Sequence, residues 1–409
     1  MAFADCLKNP DSKVVFVKPS LLVIGPTYCV SFNRRKLRAM ADYFDITCAT
    51  SQLSDRSFYG LPIHEFEESN VQEPFSVRRL AEFPKGKEFT KFLYRGLDNI
   101  FRERQFDFIL VDSEAWGLVK WQAWLLARVW QRRAFFGEFN WENIRRKGIK
   151  GQIISVVYRL SALADDFTVS GNQGCRALLL AHGVDPARNL VAAQLGVDTE
   201  LFRPVDECEK LKHRKSLGLP ANGFLIGFCG RLVPEKGLIE LRDAVHRLRA
   251  QRSDVHLALL GHGPLAQESA FSREPWITIL TPRPHYEIPA FMQSLDLFIL
   301  PSKPVREPGH FWEEQFGHVL IEAMACGVPT IGLDSGAIPE VIGDQLGTFR
   351  HGSADSIYDK VLGLLEVPDA LTGLRAREHE RVIQFYSHQA VARIYANFLG
   401  SIWKLEQAR

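Results

Sequence analysis

Two glutamates, Glu314 and Glu322, bracket the run Glu314-Gln315-Phe316-Gly317-His318-Val319-Leu320-Ile321-Glu322. At about 3.6 residues per helical turn, their spacing is a little over two turns. A helix starting near Phe316 leaves Glu314 in the loop at its N-terminus and projects Glu322 from its body. The unpaired N–H groups and positive dipole end of a helix N-terminus suit a phosphate. The pattern therefore suits a phosphate-bearing ligand held between two hydroxyl-binding carboxylates, and a nucleotide sugar has both features. A surface helix with two solvated glutamates has the same spacing, so the pattern alone leaves both readings open.

A second set of charges points the same way. Arg231 and Lys236 follow an apolar run that ends at Gly230, and they open a helical stretch. Cations at a helix start are locally unfavourable, which favours a ligand over two idle surface charges. A guanidinium grips two phosphate oxygens at once, and an ammonium supplies a point charge. Cleavage of an anomeric C–O bond puts negative charge on a departing diphosphate. Cations aimed at that charge lower the barrier without donating a proton.

The helix continues as Ala323-Met324-Ala325-Cys326-Gly327-Val328-Pro329-Thr330-Ile331-Gly332, then Ser335-Gly336-Ala337-Ile338-Pro339-Glu340-Val341. Upstream stand Gly230-Arg231-Leu232-Val233-Pro234-Glu235-Lys236-Gly237 and Leu259-Leu260-Gly261-His262-Gly263-Pro264-Leu265. In order and separation these blocks resemble the retaining glycosyltransferases of family GT4. Their hallmark is Glu-x7-Glu followed by a small-residue helix end, Gly-x-Pro and a short strand. The resemblance covers most of the chain and is strongest from Gly196 to Gly343. It implies an α/β chain of GT-B fold, with two Rossmann-like domains facing a cleft and a C-terminal helix crossing back to the first domain. The implied donor is a UDP- or GDP-linked sugar. The implied acceptor is a saccharide or lipid-linked saccharide in polysaccharide or glycoconjugate assembly.

By position in the family motifs, Arg231 and Lys236 would contact the donor diphosphate and Glu322 the ribose hydroxyls. Glu314 would lie beside the transferred sugar. The backbone N–H groups of Phe316 and Gly317 would reach the phosphates or the sugar. This makes Glu314, Arg231 and Lys236 the catalytic candidates, with Phe316, Gly317 and Glu322 completing the donor site. Gly25, after the first strand, could belong to a loop closing over the donor, or to an ordinary turn. The loop Thr281-Pro282-Arg283-Pro284 could touch the base. No HExxH or clustered ligand spacing occurs among the histidines, and GT-B enzymes generally need no bound metal. No cofactor and no metal are therefore expected. A sugar-nucleotide epimerase on the same fold and a catalytically silent sugar-nucleotide-binding protein are the rival functions.

One departure concerns the acceptor side. Many GT4 members carry a histidine after the fourth strand of the first domain. Here the segment reads Val111-Asp112-Ser113-Glu114-Ala115-Trp116, with Ser113 at that position and Glu114 next to it. A serine can bind a sugar hydroxyl but is no comparable base. In Trp141-Glu142-Asn143-Ile144-Arg145-Arg146-Lys147, an aromatic face could stack on a sugar and cations could hold a phosphate. Ser113, Glu114, Asn143 and Arg145 are thus the acceptor candidates. A loop leading into a solvated basic helix is the other reading of the last two. Trp116, Trp121, Trp124 and Trp130 before Arg132 and Arg133 fit either a helix packed into the core or a face that meets a membrane surface.

These residues must be positioned by the rest of the chain. At 409 residues it is long for one core and comfortable for two domains. The hydrophobic content of 46% and charged content of 24% are those of a soluble globular enzyme. Residues 1–204 carry 28 Lys and Arg against 23 Asp and Glu, and residues 205–409 carry 22 against 25. That bias suits an anionic acceptor or peripheral membrane association, and it also fits random scatter. It is far from the basic character of a nucleic-acid binder. Seven scattered cysteines without a CxxC pair read as reduced core residues and a cytoplasmic protein. Met1 to Pro10 has no signal-peptide pattern, and the apolar stretch 14–25 is broken by Lys18 and Pro19.

Apolar runs alternate with amphipathic ones, which predicts parallel sheets with crossover helices. Strands are expected at 21–24, 106–111, 166–169, 224–229, 255–260, 277–280 and 296–300. Helices are expected at 33–43, 116–130, 236–251 and 389–405. The division is an acceptor domain, 1–204 with the terminal helix 386–409, and a donor domain, 205–385. Open parallel sheets bind ligands at the carboxyl ends of their strands.

Overall fold

The structure is a computed structural model that describes residues 18–52, 57–58, 61–62, 72–84, 90–146, 148–307 and 310–407. The Met1–Pro10 stretch, Cys6 and Lys147 lie outside the described residues. The chain divides into two compact units. One comprises residues 1–56, 62–196 and 388–409, and the other residues 57–61 and 197–387.

In the first unit, seven strands form one all-parallel sheet. They are β1 (Ser20–Ile24), β2 (Asp45–Ser51), β3 (Ser76–Leu80), β4 (Phe108–Asp112), β5 (Phe135–Asn140), β6 (Phe167–Ser170) and β7 (Asn189–Val191). The spatial order is β7-β6-β5-β4-β1-β2-β3. Leu21, Leu22, Val23 and Ile24 are completely buried. A sheet covered on both faces requires such an unbroken apolar run. The connections include α1 (Arg35–Met40), α2 (Leu118–Trp130) and α3 (Gly148–Ala164). The C-terminal helix, His388–Gln407, belongs to this unit and packs on α1. The Nζ of Lys36 on α1 lies 4.4 Å from the centre of the Tyr395 ring, and Trp403 packs against Phe108 and Phe135.

The second unit holds a six-stranded parallel sheet. Its strands are β8 (Phe224–Cys229), β9 (Val255–Leu260), β10 (Ile277–Leu280), β11 (Leu297–Leu300), β12 (Thr330–Leu333) and β13 (Thr348–Phe349), in the order β10-β9-β8-β11-β12-β13. Two of its helices carry the sequence motifs: α4 (Leu238–Gln251) after β8 and α5 (His318–Ala325) after β11.

The direction of winding reverses between β1 and β4 in the first sheet and between β8 and β11 in the second. Such switch points open a crevice at the carboxyl ends of the strands. Asp112 and Gly25 end their strands at the first, and the loops bearing Lys236 and Glu314 leave the second. Cys29, Cys48, Cys175, Cys229 and Cys326 are buried, Cys208 is exposed, and none of these forms a disulfide.

Candidate donor site

The loop after β8 runs through Arg231 into a short 3-10 turn, Pro234–Lys236. Gly237 caps it in the left-handed region (φ 69°) and hands the chain to α4. Lys236 is thereby held just before a helix start. Its Nζ donates to Glu314 Oε2 at 2.6 Å, and each side chain is 13% exposed. Nζ also sits 4.6 Å from the centre of the Trp312 ring. The structure thus joins two of the catalytic candidates directly. Arg231 stands apart from that contact. Its side chain is 52% exposed and its Nη2 lies 3.6 Å from Glu235, so the guanidinium remains open to an anion.

Glu314 is positioned through its backbone. Its carbonyl accepts the N–H of Ala337 at 2.9 Å. Gly336, at φ +57°, lies so close that a Cβ there would stand 2.2 Å from the same carbonyl oxygen. Only glycine accepts both that conformation and that approach. The adjacent Glu313 pairs with Arg306.

The helix carrying Glu322 starts two residues later than the spacing suggested. α5 begins at His318, and Gly317 precedes it with φ 76° and ψ 63°. Glycine tolerates this left-handed geometry, in which the N–H of Leu320 bonds back to the Gly317 carbonyl at 2.8 Å. Phe316 is buried and packs edge-on against Tyr386 at 5.8 Å. Its ring anchors the loop.

Glu322 is almost fully buried, and its Oε1 accepts from two histidines, His285 Nε2 at 2.8 Å and His318 Nδ1 at 3.2 Å. Burial raises the carboxyl. The two histidine hydrogen bonds outweigh burial and hold it down at about 2. Neither histidine was singled out from sequence. His318 had a signal, since residues four apart share a helix face. His285 comes from the loop after β10, next to the segment 281–284 assigned to the base. Its ring also packs 5.3 Å from Phe202. No local pattern announces that contact.

In the first unit, Gly25 has a packing reason of its own. A Cβ on it would stand 2.7 Å from the Cβ of Asp112 and 3.1 Å from the Tyr28 ring. Asp112 is buried at the end of β4, facing the Tyr28 and Gln194 side chains. Burial raises its carboxyl above the usual range, against the pull of Lys36. Ser113 Oγ is buried without a hydrogen-bond partner among the described residues. Glu114 accepts the Trp141 N–H at 2.9 Å. Burial, with the charges of Glu142 and Glu138 adding to it, raises this carboxyl to about 8 despite that bond. Glu114 thus ties the segment after β4 to the segment after β5. Arg145 lines a small cavity with Glu142, Arg146, Tyr158 and His182. Ser113, Glu114 and Asn143 do not line it, so the four acceptor candidates are not gathered in one pocket.

Residues 209–381 match the family described as glycosyl transferases group 1. That match lies within the second unit. D-inositol 3-phosphate glycosyltransferase of Mycobacterium leprae is 31% identical over 232 residues, 52% of this chain and 49% of that protein. The protein of the same name from Mycobacterium tuberculosis is 31% identical over 203 residues, 46% of this chain and 38% of its own. The chain therefore spans about half the length, or less, of the curated relatives it matches. Among solved structures, a glycosyltransferase from Rickettsia africae aligns with a TM-score of 0.70 at 17% identity, over 95% of this chain and 100% of that one. Anabaena HepE, solved in complex with UDP and glucose, aligns at 0.64 and 17%, over 94% and 100%. These likenesses show the fold: the chain is of GT-B type, built from two Rossmann-like domains.

Proposed function

We propose that the protein is a retaining glycosyltransferase that moves a sugar from a UDP- or GDP-linked donor to a saccharide or lipid-linked saccharide. The carrying observation is the Lys236–Glu314 pair at the carboxyl edge of β8 and β11, flanked by open Arg231 and by buried Glu322. In this reading the ammonium meets the donor diphosphate and the carboxylate faces the sugar. Arg231 and Lys236 then stabilise the leaving diphosphate by charge, which assigns that task to side chains and not to a bound metal. Glu322, oriented by His285 and His318, takes the ribose hydroxyls.

In this reading the acceptor oxygen bonds to the anomeric carbon as the bond to the diphosphate oxygen breaks. The acceptor's proton passes to the departing phosphate on the same face. Ser113, Glu114, Asn143 and Arg145 remain the acceptor candidates. UDP, bound in HepE, is the first nucleotide to test. D-inositol 3-phosphate, named in the curated relatives, joins a panel of saccharide acceptors.

The test is incubation with UDP- and GDP-sugars, with and without acceptors, following nucleotide release and the anomeric configuration of the product. Acceptor-stimulated release with retained configuration supports the reading. An epimerised donor, or binding without turnover, overturns it.

A further inference from the structure

Helix α3 exposes a row of large apolar side chains that nothing in the described structure covers. Ile149, Ile153, Val156, Leu160 and Leu163 are between 51% and 86% exposed. Their spacing of four, three, four and three places them on one stripe, about 21 Å long at 1.5 Å per residue. The opposite side of the helix, including Gly151, Tyr158 and Ser161, faces inward. α2 repeats the arrangement. Leu118, Leu125 and Val129 are exposed on its outer side, opposite buried Val119, Ala123 and Ala127.

The two helices are neighbours. Lys120 Nζ donates to Ser161 Oγ at 2.5 Å, and Trp124 Nε1 to the Ala164 carbonyl at 3.2 Å. Each of the two neighbouring helices thus turns an apolar stripe to solvent. Exposed apolar stripes of this length on a single chain mark an interaction surface.

The charges around it select the partner. Between Ala115 and Gly137, and again between Asn143 and Ala164, there is no Asp or Glu. The same stretches carry Arg128, Arg132, Arg133, Arg145, Arg146 and Arg159, all on or beside the exposed helix faces. The carboxylates that flank these stretches in sequence are paired: Asp165 is buried beside Lys120, Asp166 pairs with Arg128, and Glu142 pairs with Arg146. Two copies stacked on this face would set arginine against arginine with few acids between them, which argues against self-association. Among the described residues, no helix is long and apolar enough to cross a membrane. An apolar stripe flanked by arginines that outnumber the acids fits a helix lying in the interface of an anionic bilayer.

We infer that the outer face of α2 and α3 docks the protein on anionic lipid. This relocates the membrane contact suggested by the tryptophan run. Trp121 and Trp124 are partly buried against each other, and the exposed apolar surface is mainly that of α3. The inference does not rest on the donor assignment, because it is tested without substrate.

The experiment is co-sedimentation of the full chain with vesicles of phosphatidylcholine alone or equimolar with phosphatidylglycerol. Binding is expected to the anionic vesicles, weakening as salt is raised. The triple variant Ile153→Ser/Val156→Ser/Leu160→Ser should bind at least about tenfold more weakly, since it removes three buried apolar anchors. Arg159→Glu should also weaken binding. Should the triple variant fail to fold by circular dichroism, Ile149→Ser/Leu163→Ser, at the two most exposed positions, carries the same test. The inference is overturned if the wild-type chain ignores anionic vesicles or if a folded stripe variant binds as well as wild type. It is equally overturned if sedimentation equilibrium shows a dimer that the stripe variants dissolve while vesicles go unbound.

Discussion

Lys236 and Glu314 are 78 positions apart in the chain and 2.6 Å apart in the fold, Nζ to Oε2. Without ligand, each neutralises the other at the crevice where β8 and β11 diverge. An arriving diphosphate competes with Glu314 for the ammonium, so the pair couples donor binding to the position of the carboxylate proposed to face the sugar.

Changing either partner should therefore have opposite effects on nucleotide affinity. Lys236→Ala removes a charge-assisted contact of about 1.5–3 kcal/mol and leaves Glu314 to repel phosphate. Free UDP or GDP should bind more weakly, and turnover should fall by roughly one to two decades. Glu314→Gln frees the ammonium, so nucleotide affinity measured by calorimetry should hold or rise while turnover falls. A Glu314→Gln protein with normal turnover and lost affinity would reverse the proposed order of the two carboxylates along the donor.

Glu322 should behave as a unit with its histidines. Glu322→Ala should weaken free nucleotide, because its proposed partner is ribose and not sugar. His285→Ala and His318→Ala should each weaken it less, by letting the carboxylate turn. In double-mutant cycles with Glu322→Ala the histidine effects should largely disappear, as expected for side chains in one hydrogen-bonded network. Full additivity would mean that the histidines act elsewhere.

Gly336→Ala tests the loop without touching a charged group. The new Cβ would meet the Glu314 carbonyl at 2.2 Å in a left-handed conformation, a strain of order 1–3 kcal/mol. Turnover should drop along with displacement of Glu314, while far-UV circular dichroism stays unchanged. Wild-type turnover in a folded Gly336→Ala protein would disconnect the loop from the chemistry.

Two carboxyls should give stability opposite dependences on pH. Glu322 is depressed from 4.5 to about 2. Its contribution is complete above 4.5 and is lost as pH falls toward 2, an effect on the order of 3 kcal/mol. Glu114 is raised from 4.5 to about 8, so ionising it opposes folding, and stability is lost as pH rises across that interval. Urea midpoints against pH should show Glu322→Gln removing the acid-side loss and Glu114→Gln removing the alkaline-side loss. Parallel profiles for wild type and Glu114→Gln would mean that Glu114 is not held neutral.

The sequence by itself determined the strands of both sheet centres, because a strand covered on two faces must be apolar throughout. Phe224–Cys229, Val255–Leu260 and Ile277–Leu280 stand where their apolar runs predicted. It also put Glu314 in a loop and Glu322 on the short helix that follows, as their spacing predicts. Edge and mixed strands such as Asp45–Ser51 were not legible, because their pairing is set by neighbours and not by an apolar run.

Only the tertiary structure decided which charges meet. Lys236 finds Glu314, and His285 finds Glu322, through loops that leave different strands of one sheet, and no local spacing encodes such a meeting. It also decided which way α3 faces. Periodicity announces that a helix has an apolar stripe, but the packing of its other side against the sheet layer turns that stripe outward.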